Sequence, residues 1–237
     1  MKKKTGLDWW CDRAWILFGC WITAFMTALI LINWRNWSAE LKVIAAIAAL
    51  IPVHVIEEWG FPGGFHFQYN TFLYKSNQPD RYPMCRKSDM ITNLGATFMY
   101  AAITLICVLN GGEVSAGVLM GTVGFCVLEV AIHTVFGTLA YFKYRKNGKT
   151  TVYGPGSITA YLGFGVFGVI LCYGMRGRTI AARDWLICGI ILAMIAFVWI
   201  LIPENLIKHC QQLRLQIYWK ESLTFNVTEP NVSREQN

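Results

Sequence analysis

The sequence predicts an all-α membrane protein, a bundle of about six transmembrane helices. Three observations carry this. Of 237 residues, 55% are hydrophobic and only 15% charged, far from the balance of a soluble domain. The apolar residues gather into six runs of about 18 residues or more, each long enough for a hydrocarbon core of roughly 30 Å. The charged residues fall mainly between those runs. The formal charge of +7 is therefore spread over the connecting segments rather than massed in one basic block, which speaks for topology and against nucleic acid as a partner. There are eight cysteines, and Cys20, Cys107, Cys126, Cys172 and Cys188 stand inside predicted spans without paired spacing. They read as small apolar packing residues, not as a disulfide framework or zinc ribbon.

The first span covers about 14–32 and follows a short basic segment. No convincing small-residue cleavage site follows it, so it reads as a retained helix and not a signal peptide. Trp9, Trp10 and Trp15 at one end and Trp34 and Trp37 at the other resemble interfacial belts. The second span, about 41–58, ends in H-V-I-E-E. A loop, 59–88, opens with W-G-F-P-G-G-F and is rich in aromatics, with its first part expected at the surface as a cover. The third span, about 89–109, carries Asn93 and Thr97, and the N-G-G-E turn joins it to the fourth, about 114–142. That helix holds Glu129 and His133 at i, i+4, and Gly117, Gly121 and Gly124 on a face suited to close helix approach. Pro155 opens the fifth span, to about 173. The sixth, about 185–202, is purely apolar. The bundle is expected over 1–203 and a cytoplasmic tail over 204–237, amphipathic to Lys220 and then disordered. The sequons at Asn226 and Asn231 lie in this tail.

With the N-terminus inside, the inside segments hold 16 of the 21 Lys and Arg residues. The positive-inside rule thus puts both termini in the cytoplasm and leaves the sequons unmodified. The polar residues within the spans then share one depth: His54, Glu57 and Glu58 end the second helix, Asn93 begins the third, Glu129 and His133 sit in the inner half of the fourth, and Pro155, Gly156 and Thr159 begin the fifth. Ionisable residues inside a membrane are costly and mark function by default, so this convergence predicts one site in the cytoplasmic half of the bilayer. The first and sixth spans look like scaffold.

The ordered motifs H-x-x-E-E, W-x-F-P-G-G-F, an Asn on the next helix, E-x-x-x-H and P-G-x-x-T-A resemble the membrane family named for its HxxEE motif, over about 41–173. The resemblance implies a multi-span protein whose motif residues form an active site, matched by His54, Glu57, Glu58, Asn93, Glu129, His133, Pro155 and Gly156. It does not imply a particular reaction.

Two histidines, three carboxylates and an amide point first to a metal-dependent hydrolase. His54, His133 and one of Glu57 or Glu129 would hold a divalent, zinc-like ion in an open three-ligand arrangement. Glu58 would act as general base on a water and Asn93 would orient substrate or stabilise an oxyanion. A metal-free glutamate and histidine hydrolase is the second variant. A di-iron carboxylate oxidase is the third, one carboxylate short. A proton- or cation-coupled transporter uses similar residues, but its polar set normally lies at the midplane, often with internal repeats. Here the set is offset to one face and no repeat is visible. His66 and His209 read as structural. The expected partner is a membrane lipid or membrane-embedded substrate, and the basic N-terminus and compact tail fit a bacterial inner membrane.

Overall fold

The structure is a computed structural model describing residues 6–80 and 82–207; the expected tail from residue 208 onward, with its two sequons and His209, lies outside the described residues. Among the described residues there is no strand, and seven helices make up the fold: α1 (Trp15–Ile32), α2 (Ala39–Gly60), α3 (Phe65–Phe72), α4 (Arg86–Leu109), α5 (Ala116–Asn147), α6 (Ser157–Gly174) and α7 (Ala182–Leu206). All except α3 are long and apolar enough to cross a membrane, so this is an integral membrane protein with six candidate spans.

Polar residues placed at the ends start the helices. The Ser38 hydroxyl accepts from Leu41 N at 3.2 Å at the head of α2, and Ser115 accepts from Val118 N at 3.3 Å at the head of α5, each satisfying an otherwise orphaned donor. Asp184 serves two helices at once: its carboxylate accepts from Ala181 N, ahead of α7, and from Gly117 N in α5, both at 3.0 Å.

Neighbouring helices pack in the order α2, α6, α5, α7, α4 and back to α2, with α1 laid against the outside of α2. The ring encloses a core of Ile44, Ile47, Tyr100, Leu119, Phe125 and Phe164. The glycine face of α5 takes α7, as its spacing predicts: Cβ atoms added at Gly117, Gly121 and Gly124 would run into Asp184 and Ile187, Ile191, and Leu192. Farther along, α7 leaves α5 and leans on α4. There the Trp199 ring fills the space over Gly95, and the Thr92 hydroxyl lies 2.5 Å from the Trp199 carbonyl oxygen. Below the crossing, Val135 and Leu139 of α5 are left exposed.

Two sequence expectations need revision. The segment 59–88 is only partly surface loop: Phe61 and Tyr74 are exposed, whereas Phe65 and Tyr69 are core. It contains α3, with Phe65, His66, Gln68, Tyr69 and Asn70 buried. Asn70 fastens the stretch that follows, donating to Pro79 O and Met84 O and accepting from Met84 N, each at 2.8 Å. The last helix also passes through Pro203 to Ile207. Buried Glu204 accepts from Tyr74 OH at 2.6 Å and ties this end of α7 to the segment after α3.

Candidate metal centre

The H-V-I-E-E stretch lies where α2 changes from α-helix to a π-helical turn, Ile56–Gly60. This places the two glutamates in different neighbourhoods. Glu58, one turn after His54, turns into the ring, whereas Glu57 turns to the head of α6.

Inside the ring four side chains meet. His54 Nε2 and His133 Nε2 are 3.2 Å apart. Glu58 Oε1 stands 3.3 Å from His54 Nε2 and 3.5 Å from His133 Nε2, and Glu129 Oε2 stands 3.5 and 3.7 Å from the same two atoms. Aromatic rings wall the group: Phe164 packs edge-on to His54 at 5.3 Å between centroids, Phe65 lies 4.7 Å from His133, and Phe125 and Tyr100 continue the floor. The side chains of His54, Glu58 and His133 are at most 5% exposed, and that of Glu129 is 20% exposed. Glu129 is thus the member of the quartet that a small molecule can reach.

Glu57 is fully engaged elsewhere. Its Oε1 accepts from Tyr153 OH at 2.7 Å and Ile158 N at 2.9 Å, and its Oε2 accepts from Thr159 N at 2.9 Å and Thr159 Oγ1 at 2.6 Å. A carboxylate on the first N–H groups of a helix is favoured by both hydrogen bonding and the helix dipole. Burial and the neighbouring Glu57 push the Tyr153 phenol upward, which keeps it a donor. Thr159 Oγ1 also lies 2.6 Å from His54 Nδ1. Because its own proton goes to the carboxylate, the hydroxyl must accept from Nδ1–H, leaving the His54 Nε2 lone pair facing the centre. Glu57, expected as a ligand or its alternate, therefore acts on the histidine through Thr159.

Gly156 closes the site from the α6 side. Its φ is +84°, and a Cβ there would lie 2.7 Å from His54 Cε1 and also overlap the His133 ring. Only glycine fits. Asn93, expected to face substrate, instead donates to Asp89 O at 3.1 Å within α4 and lines a crevice with Gly19, Pro52 and Val55. Pro155 remains helix punctuation. His66 stacks on Trp59 at 4.5 Å, and neither of its ring nitrogens has a hydrogen-bond partner. Burial, helped by the Arg86 charge, lowers it to about 3, so it is a neutral packing residue.

Sequence reasoning missed Asp89, which it took for the polar edge of a span. Asp89 is 2% exposed, its Oδ2 has no hydrogen-bond partner, and it interacts electrostatically with Glu58 and His54. The signal was there: an acidic residue one turn before Asn93, at the depth already assigned to the site.

The donor set fits a metal ion. Zinc binds histidine nitrogen and carboxylate oxygen at about 2.0–2.2 Å, so neighbouring donors on a tetrahedron stand about 3.3–3.6 Å apart. The five separations that involve a histidine run from 3.2 to 3.7 Å. His54, Glu58 and His133 form a buried three-donor group able to hold an ion.

Fold and site together define a six-span integral membrane protein with a histidine and carboxylate centre buried within its helices. Residues 45–171 match the family described as proteins of unknown function with an HXXEE motif, and since this is more than half of the chain, the protein belongs to that family. No curated protein and no solved structure matches the chain.

Proposed function

We propose that the protein is a metal-dependent hydrolase of the membrane interior, with His54, His133 and Glu58 holding a divalent, zinc-like cation and Glu129 acting as general base. The observation that carries this is the buried trio of His54, His133 and Glu58, whose donor atoms stand 3.2–3.5 Å apart beside one partly exposed carboxylate, Glu129. This exchanges the roles that the sequence suggested for Glu58 and Glu129. A bound cation would polarise the substrate carbonyl or phosphoryl oxygen and acidify a water. Glu129 takes the proton of the attacking water and returns it to the leaving group. The aromatic walls keep bulk water out, which strengthens each electrostatic contact inside.

The substrate is membrane-embedded or lipid-linked and approaches through the bilayer. Supporting this, α7 parts from α5 at the level of the site, leaving Val135 and Leu139 exposed on α5. The excess of Lys and Arg in alternate connecting segments supports placing the site in the cytoplasmic half of a bacterial inner membrane with both termini inside.

Elemental analysis of detergent-purified protein tests the reading. About one equivalent of zinc or another transition metal is expected in wild type and loss of it in His133→Ala; absence of metal from wild type would refute it. A second reading follows from Asp89, whose unpartnered oxygen supplies the carboxylate that a two-iron oxidase otherwise lacks. Two equivalents of iron per chain would favour that reading over the hydrolase.

A further inference from the structure

A groove of about 490 Å³ runs between α5 and α6 on their outer flank, within the size range of roughly 300–1,000 Å³ typical of ligand pockets. It is separate from the metal centre. At about 100° per residue, Val127 and Ala131 lie some 160° around α5 from Glu129, and both are exposed. Its walls are Val123, Val127 and Ala131 on one side and Gly165, Gly168 and Cys172 on the other. The two glycines let α6 approach α5 closely, at Cys126 and Val130, and so form the floor of the groove; no carboxylate lines it.

Length and charge identify the occupant. From Val123 to Ala131 the wall rises about 12 Å, and from Gly165 to Gly174, where α6 ends just before Arg176, about 14 Å. Half of a hydrocarbon core of roughly 30 Å is about 15 Å, so the groove spans one leaflet. Its deep end lies near Val130 and Gly165, and its mouth is the end of α6 opposite Gly156 and Thr159. At that mouth Arg176 rests over the Tyr173 ring, 4.1 Å from its centroid. The nearby Arg178 is occupied, donating to Gly174 O and Val114 O and contacting Glu40 at 3.3 Å. The geometry points to a binding site for an anionic phospholipid of the leaflet opposite the metal centre, with one acyl chain lying in the groove and the phosphate on Arg176. An arginine pairs with a phosphate through charge-assisted, often bidentate hydrogen bonds.

The test measures retained lipid by native mass spectrometry after reconstitution in dioleoylphosphatidylcholine vesicles with and without dioleoylphosphatidylglycerol. Wild type should retain phosphatidylglycerol in preference to phosphatidylcholine. Arg176→Gln should lower the phosphatidylglycerol affinity about fivefold, the worth of one basic residue near a membrane surface, while leaving phosphatidylcholine unchanged. Arg176→Lys should keep most of the preference. Val127→Trp, at an exposed position, should fill the groove and reduce retention of both lipids. Equal retention of the two lipids by wild type, an unchanged preference in Arg176→Gln, or unchanged retention in Val127→Trp would overturn the assignment. So would a dimer that Val127→Trp dissolves, because the groove would then belong to a second copy of the chain.

Discussion

Replacing Thr159 with valine isolates the connection between Glu57 and the candidate metal centre. The change keeps the branched shape and removes only the hydroxyl that stands 2.6 Å from both His54 Nδ1 and Glu57 Oε2. Glu57 retains Tyr153 OH, Ile158 N and Thr159 N as donors, so the head of α6 stays capped. His54, in contrast, loses the acceptor that holds its proton on Nδ1. The proton then competes for Nε2, the atom facing Glu58, Glu129 and His133. Partners that orient a ligating histidine are typically worth 10- to 100-fold in metal affinity, or about 1.4–2.7 kcal/mol. Competition with a chelator should register that loss in Thr159→Val, and the nitrogen chemical shifts of His54 should report the changed tautomer. Thr159→Ser should restore both. Wild-type affinity and tautomer in Thr159→Val would refute the argument that Glu57 reaches the centre through this hydroxyl.

Gly156→Ala combines about 1–2 kcal/mol of backbone cost at positive φ with a methyl overlapping both histidine rings; it should lower thermal stability in detergent and abolish metal binding together. The pH dependence of His66 has a definite sign. Its folded value of about 3 lies below the ordinary 6.5 because of burial and then Arg86, so between these values the unfolded chain binds more protons, and stability should fall as pH falls from 6.5 toward 3. His66→Phe keeps the stacking on Trp59 and should flatten that part of the unfolding profile.

Much of the fold was legible because membrane spans obey length and hydropathy, and because Gly117, Gly121 and Gly124 announce a close helix contact before its partner is known. Part of the site's membership was legible: His54, Glu58, Glu129 and His133 do converge, whereas Asn93 and Glu57 are engaged elsewhere. Their division of labour was not. In a straight α-helix His54, Glu57 and Glu58 share a broad face, and only the π-helical turn and the head of α6 assign Glu57 to capping and Glu58 to the centre. Asp89 and α3 were misread for one shared reason. Polar and aromatic residues at the edge of a long apolar run or beyond it resemble surface in sequence, and only tertiary packing reveals that they are buried.

Charge balance gives an independent reason to expect a cation among these residues. Two Nε2 atoms 3.2 Å apart cannot both carry hydrogens, since the two N–H groups would point at one another, so the histidine pair holds at most one Nε2 proton. Glu58 and Glu129 bring two negative charges beside it. With His54 Nδ1–H donated to Thr159, an Nε2 proton adds at most one positive charge, so the group is net negative whenever both carboxylates are ionised. Asp89, buried with an unpartnered oxygen, increases the deficit when ionised. An uncompensated charge enclosed by Phe65, Phe125 and Phe164 is costly in so apolar a setting. A divalent ion in place of the Nε2 proton neutralises both glutamates and gives each histidine lone pair a partner. The same arithmetic explains why Glu57 can stay ionised without a metal: four donors and the positive end of α6 already satisfy it. The H-x-x-E-E motif thus places two adjacent carboxylates in opposite electrostatic conditions, one compensated by the protein itself and one beside two histidines, where the proposed cation would compensate it.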